Sequence, residues 1–294
     1  MRRRANPAWL FVAPALAAIA LFLFVPVFAS LLLSFTDFDI YAVAALRNLR
    51  FVGFANYQTL LAEPLFWQAL RNTLYFVAVG GPLSVAASLA AALLVNARLA
   101  RCRPLFRTAF FLPVVTTLVA IAVVWRYLYH PRIGLINQLL AGFGVAPIDW
   151  LGDPHWAMPA ILLMSIWKNF GFNMIIFVAG LQAIPERLYE AASLDGAGPW
   201  RQFRYVTLPM LAPTALFVAV MTMIGGFQLF AEPYVMTQGG PSNHTLSVVL
   251  LMFQEGFRYW NMGYAAAIAF VLFAILLAGT ALQLKLRPLG GGPT

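Results

Sequence analysis

The sequence predicts an all-α polytopic membrane protein, and three observations carry that class. Of 294 residues, 62% are hydrophobic and only 10% charged, where an ordinary soluble domain carries about 25% charge. Apolar blocks of about 20 residues recur, the length that crosses roughly 30 Å of hydrocarbon at about 1.5 Å per residue. Alternating segments of about ten residues, the mark of a membrane β-barrel, are absent from the sequence.

Six spans follow, at Trp9–Ser34, Arg71–Val95, Leu105–Tyr129, Trp156–Leu181, Leu208–Pro233 and Tyr264–Leu286. The start, Met1-Arg2-Arg3-Arg4, resembles a signal peptide. The block behind it is longer than the 7–15 residues or so of a signal h-region, so a first helix retained in the mature protein is expected. With those arginines in the cytoplasm, Arg98, Arg101, Arg103, Arg107, Arg187, Arg201, Arg204, Lys285 and Arg287 share their side. Arg47, Arg50, Arg132 and Arg258 fall outside, with Arg71 and Arg126 near outer helix ends; Asp37, Asp39, Glu63, Asp149, Asp153, Glu232 and Glu255 also lie on or near that face. This bias puts both termini inside. It also accounts for the net charge of +9 without nucleic acid.

Other chemistry is excluded early. Cys102 is the lone cysteine, and His130, His155 and His244 lie far apart without carboxylates or thiols at ligand spacing, so no metal site is expected. No G-x-x-x-x-G-K-[ST] loop occurs, so the chain is not itself an ATPase. An integral enzyme acting on lipid-linked substrates would need convergent acids or histidines, and the acids here are scattered. A proton-coupled carrier would be expected to show internal repeats and intramembrane acids; no convincing repeat is found.

The spans hold Pro14, Pro26, Pro82, Pro113, Pro159 and Pro213. Each can kink its helix, as a transport path uses, although proline is common in membrane helices generally. The outer loops carry FVGFANY (51–57), GLIN (134–137), suited to open a short helix, and the turn Gln238-Gly239-Gly240-Pro241. The fourth span places Ser165, Trp167, Lys168, Asn169, Phe172 and Asn173 at mid-membrane depth. A lysine there costs about 2.5–3.5 kcal/mol unless it finds water or a partner. The fifth span adds Thr222, Gly225, Gly226, Phe227, Gln228 and Glu232. Amides and rings on one face suit a neutral hydroxylated ligand; the same groups could instead hold helices together.

Between these spans lies the one sustained polar stretch of the second half, ERLYEAASLDGAGPWRQFRYVTLP (186–209), in the loop 182–207. Pro185 and Glu186 suit a helix start. Ile184, Leu188, Ala191 and Ala192 give one apolar face, and Gly196 with Gly198-Pro199 ends it. Trp200–Val206 reads as a second short helix before Pro209 opens the fifth span. Such a bracket is either a docking surface or an amphipathic connector in the lipid interface.

At this stretch the chain resembles a family. Glu190-Ala191-Ala192, Gly196 and the run Val206-Thr207-Leu208-Pro209 resemble the EAA motif of binding-protein-dependent ABC importer permeases, with Val206 where isoleucine is usual. The fuller string, together with SFTDFD (34–39), FVGFANY, ALRNTLYF (69–76), RTAFFLP (107–113), GLIN, LQAIP (181–185) and TQGGP (237–241), is similar to the carbohydrate branch, of maltose and glycerol-phosphate type.

The resemblance implies a type I importer permease fold in a prokaryotic inner membrane. It implies a second permease subunit, two ATPase subunits that use ATP and Mg, and an extracytoplasmic sugar-binding protein, with no cofactor on this chain. It assigns ATPase coupling to Glu190, Ala191, Ala192, Asp195, Gly196, Leu208 and Pro209. The substrate-pathway candidates are then Ser165, Trp167, Lys168, Asn169, Phe172, Asn173, Thr222, Gly226, Phe227 and Gln228. A sugar is expected, with glycerol phosphate or a polyol as the alternative.

Overall fold

The computed structural model describes residues 8–44, 49–96 and 103–285, so Arg2, Arg3, Arg4, Arg47, Arg98, Arg101, Cys102 and Arg287 lie outside the described residues. The chain is helical, with one isolated β-bridge, Thr36 to Phe51, among the described residues. The helices are α1 (8–33), α2 (Ile40–Ala44), α3 (Ala55–Ala62), α4 (Pro64–Asn96), α5 (Arg103–Val115), α6 (Leu118–Leu128), α7 (Leu135–Ala141) and α8 (Pro154–Gln182). They continue as α9 (Glu186–Leu194), α10 (Pro199–Phe227), α11 (Ala231–Met236), α12 (Val248–Phe253) and α13 (Met262–Lys285). Five of them are long and apolar enough to cross a membrane, and α5 with α6 make a sixth span only as a pair bent by 98°.

Helices α1, α8 and α13 lie within two residues of the expected spans at both ends. The other three spans differ, each for a physical reason. Helix α4 begins at Pro64 rather than Arg71 because its first turns are amphipathic: Phe66, Ala69, Leu70 and Thr73 are buried at helical spacing. The third span is not one helix. It breaks at Thr116 and Thr117, where Thr117 takes an extended ψ of 137°.

The fifth span corrects the reading twice. The short helix expected at Trp200–Val206 is continuous with the span, because the chain passes Pro209 through a widened π turn at Phe203–Thr207. At the other end the helix stops at Phe227 rather than Pro233. Two glycines, Gly225 and Gly226, weaken its last turn. Pro233 cannot donate to a continuing helix, so Glu232 passes onto the separate α11.

Widened turns recur with one cause. They sit at Ala20–Phe24, Phe76–Gly80 and Phe203–Thr207, and each ends two residues before a proline: Pro26, Pro82 and Pro209. A proline ring clashes with the carbonyl four residues earlier. Those carbonyls belong to Phe22, Ala78 and Tyr205, the middle residue of each turn, so the helix opens by one residue there and continues. A fourth, Gln254–Arg258, has no such proline.

The described chain divides into two compact units, Met1–Phe66 with Leu251–Phe273, and Trp67–Leu250 with Ala274–Thr294. In the first, the SFTDFD and FVGFANY stretches pair. Asn56 Nδ2 donates to the carbonyls of Ser34 and Thr36 at 2.9 and 2.8 Å, and Phe35 packs on Phe51, Phe54 and Tyr57. The Arg50 backbone N–H, 2.7 Å from Asp37 Oδ1, holds that carboxyl below the usual range.

In the second unit α8 is the axis. It is capped by Asp153, whose Oδ1 accepts from the His155 backbone N–H at 2.7 Å. Helix α4 lays a stripe of small residues on it, with Gly80, Ser84, Ser88, Ala91 and Ala92 buried, as membrane helices do to approach closely. One core gathers Tyr129, Ile161, Met164 and Leu229; another gathers Met174, Phe177, Leu211 and Val218.

Candidate functional site

Two features of the second unit match the residues singled out above. The first is a cavity of about 550 Å³ among α4, α5, α6, α8, α10 and α11. Helix α8 turns Ser165, Asn169, Phe172 and Asn173 into it, and α10 and the turn beyond it contribute Thr222, Gly226 and Gln228. Seven of the ten pathway candidates therefore line one cavity. Trp167, Lys168 and Phe227 do not line it.

Each of those three has its own surroundings. Trp167 packs against Trp125, ring centroids 5.5 Å apart and planes tilted by 57°. Phe227 is buried. Lys168, also buried, directs Nζ to the carbonyls of Pro113 and Val114 at 3.5 and 3.4 Å. These belong to the last turn of α5 before the break, whose carbonyls lack helical partners and carry the negative end of the helix dipole. The ammonium sits where the broken span needs a donor.

The cavity wall is internally bonded. Asn173 Nδ2 donates to Thr222 Oγ1 at 3.1 Å, tying α8 to α10. Asn169 Nδ2 donates to its own helix, at the Ser165 carbonyl 2.9 Å away. That leaves the Asn169 Oδ1 acceptor and the whole Gln228 amide without protein partners among the described residues. Phe172 supplies an exposed ring face at the same wall.

Sequence reading missed several lining groups. The widened turn of α4 supplies Phe76, Val77 and Gly80, and Ser84 follows one turn later. The only sequence signal for them is Pro82. It also missed Gly171: a Cβ there would collide with the Phe110 carbonyl, so α8 and α5 meet backbone to backbone. Gly226, a cavity residue, is likewise pressed by Val77.

The second feature is the segment between α8 and α10. Helix α9 forms as expected, and Gly196 follows with φ +74°, a left-handed conformation open to glycine. Ile184 is buried, and Leu188 and Tyr189 pack on the lower core. Ala191, expected on that apolar face, is exposed, while Ala192 is half-buried. Tyr189 takes the place assigned to Ala191.

Side chains that the sequence reading left out hold the bracket shut. The Tyr189 and Thr207 hydroxyls are 2.9 Å apart. Gln202 Nε2 donates to Ser193 Oγ at 2.9 Å and to the Ala197 carbonyl at 3.1 Å. Trp200 and Phe203 pack with tilted rings, centroids 5.6 Å apart. Of the coupling candidates, Glu190, Ala191, Asp195, Gly196 and Pro209 are exposed and Ala192 and Leu208 half-buried. Leu194 and Trp200, 90% and 72% exposed, add an apolar surface beside them.

The two features share their supports. From Asn173 to the end of α8 at Gln182 is about 14 Å of unbroken helix, and α10 returns from the bracket to Thr222.

Comparison with known proteins gives a consistent picture. A family model described as "Binding-protein-dependent transport system inner membrane component" matches residues 84–288, which include the bracket and most of the cavity wall. The lactose transport system permease protein LacF of Rhizobium radiobacter is 38% identical over 280 residues, 94% of this chain and 92% of that protein. The arabinooligosaccharides transport system permease protein AraP of Bacillus subtilis (strain 168) is 34% identical, over 97% of this chain and 89% of that protein. Among solved structures, a chain of a bacterial alginate ABC transporter in complex with alginate pentasaccharide-bound periplasmic protein superposes with a TM-score of 0.80. It is 20% identical, and the match covers 95% of this chain and 96% of that one.

Proposed function

The chain belongs to the family of binding-protein-dependent transport system inner membrane components, and we propose that it is the membrane-spanning subunit of an ATP-driven sugar importer. The observation that carries this reading is the cavity of about 550 Å³ whose wall offers free amide groups beside a phenylalanine face. Amides exchange hydrogen bonds with hydroxyls, and a ring face covers the apolar C–H side of a sugar. The substrates named for the relatives, lactose and arabinooligosaccharides, support a di- or oligosaccharide.

In this reading the subunit makes and breaks no covalent bond. A second permease subunit completes the passage, a binding protein delivers sugar outside, and two ATPase subunits bind inside at the bracket. Glu190, Asp195 and the turn at Gly196 meet the ATPase, supported by their exposure and by the EAA pattern. ATP-driven closure of the ATPases shifts the bracket, and α8 and α10 carry the shift to Asn169, Asn173 and Thr222, so that the cavity opens to one side at a time. With the amino-terminal arginines inside, the bracket is cytoplasmic, in a prokaryotic inner membrane.

Reconstitution tests this. The complex of both permeases and the ATPase, in vesicles with the binding protein outside and ATP inside, is expected to accumulate labelled lactose or arabinotriose only when all components are present. Uptake that persists without ATP would overturn the reading.

A further inference from the structure

Glu232 is the second residue of α11 and only 9% exposed, yet it forms part of the cavity wall. Its side-chain hydrogen-bond partner is Ser165, whose Oγ lies a long 3.5 Å from Oε1. A carboxylate has about four acceptor sites, so both oxygens retain capacity toward the cavity. The other polar groups of the wall are neutral: Ser84, Ser165, Asn169, Asn173, Thr222 and Gln228. No lysine, arginine or histidine lines it among the described residues; Lys168, outside the lining, directs Nζ to the α5 carbonyls, though its charge also acts on Glu232 through space. The cavity thus holds one acid and no cation.

We propose that Glu232 is a specificity-determining residue, whose two oxygens accept a pair of neighbouring hydroxyls on a neutral sugar ring and whose charge turns away sugars bearing a carboxylate or phosphate. Hydroxyl-to-carboxylate bonds are charge-assisted and about twice as strong as neutral ones. An acidic sugar at that place supplies no donor and meets a like charge in a site shielded from bulk water. The inference rests on the reading that this cavity carries sugar, and its test separates the two.

The purified importer, with its ATPase subunits and without the binding protein, is titrated by saturation-transfer NMR at millimolar sugar. The probes are lactose and trehalose, each beside its counterpart oxidised at one primary alcohol to a uronic acid. Wild type is expected to favour the neutral sugar by at least about tenfold, the size of a lost charge-assisted bond. Glu232→Gln brings the pair within about twofold, and Glu232→Asp keeps the preference. Gln228→Glu adds a second charge without touching Glu232 and weakens the acidic probe about a further tenfold. Asn169→Ala weakens both members of each pair alike. If Glu232→Gln and Gln228→Glu leave the neutral-to-acid ratio unchanged while Asn169→Ala still weakens binding, the selecting role is overturned and the cavity remains a sugar path. If none of the variants changes binding of any probe, both are overturned.

Discussion

Along α8 and α10 most polar residues at or beside the cavity find partners within the protein, whereas the helix that joins α8 to α10 presents its charges outward. Asn173 meets Thr222, Asn169 meets Ser165, and Lys168 meets two backbone carbonyls. In the bracket, Tyr189–Thr207 and Ser193–Gln202 fix the shape from within, but Glu190, Asp195, Leu194 and Trp200 face away from the core. The difference follows from solvent. A polar group in hydrocarbon must find a protein partner, while one at an aqueous face can wait for another subunit. A fixed shape with an exposed charged surface suits the docking role proposed for this segment.

That contrast can be broken at either end. The largest effect is expected from Glu190→Lys, which reverses a charge on the exposed face: ATPase co-purification and ATP-driven uptake should fall about 100-fold, the loss expected for a disrupted charged contact at an interface, while the variant inserts and melts like wild type. Normal co-purification would deny the bracket its docking role. Asn169→Ala should do the converse, weakening sugar affinity about tenfold through one lost hydrogen-bonding group with ATPase association unchanged. Uptake kinetics alongside pull-down separates the two regions, and a loss of association in this variant would erase the contrast.

Smaller effects test the framework. Gly171→Ala forces α8 away from Phe110 and should cost about 1–3 kcal/mol, read as a lower melting temperature in detergent; unchanged stability would deny the close approach. Lys168→Met should likewise lower stability more than it lowers sugar affinity, because its donors serve the α5 carbonyls. The smallest effect is acid sensitivity of the α8 start. The His155 backbone N–H holds the Asp153 carboxyl below its ordinary range. Its contribution is therefore full above the unfolded value near 3.9 or so and disappears as pH falls through the lowered folded value. Asp153→Asn should flatten the pH dependence of the melting temperature between those two values and lower it slightly at neutral pH, the variant and wild type converging at the acid end.

How much was legible differs by region for reasons visible in single residues. The bracket was readable because its signals are local: Pro185 and Glu186 open α9, and Gly196 closes it with φ +74°. Its internal clasp was not, because Tyr189 and Thr207 are 18 residues apart and neither carries a motif on its own. The cavity was readable from α8, where polar residues stand out in an apolar span. It was not readable from α4, whose contributions are a phenylalanine, a valine, two glycines and Ser84 in and just beyond a turn widened by Pro82.

Prolines mark the boundary between the two kinds of knowledge. Each one removes a donor and displaces a carbonyl, and that much is fixed by covalent geometry. Whether the helix breaks, as before Pro233, or widens and continues, as at Pro82 and Pro209, depends on what neighbouring helices can bury against it. In the same way hydropathy determines that the chain spans a membrane, and helix capping determines that a bracket interrupts it. Only packing decides that Lys168 caps a broken helix while Glu232, read as a span residue, lines the cavity, because that choice turns on which partner each charge finds once the helices have met.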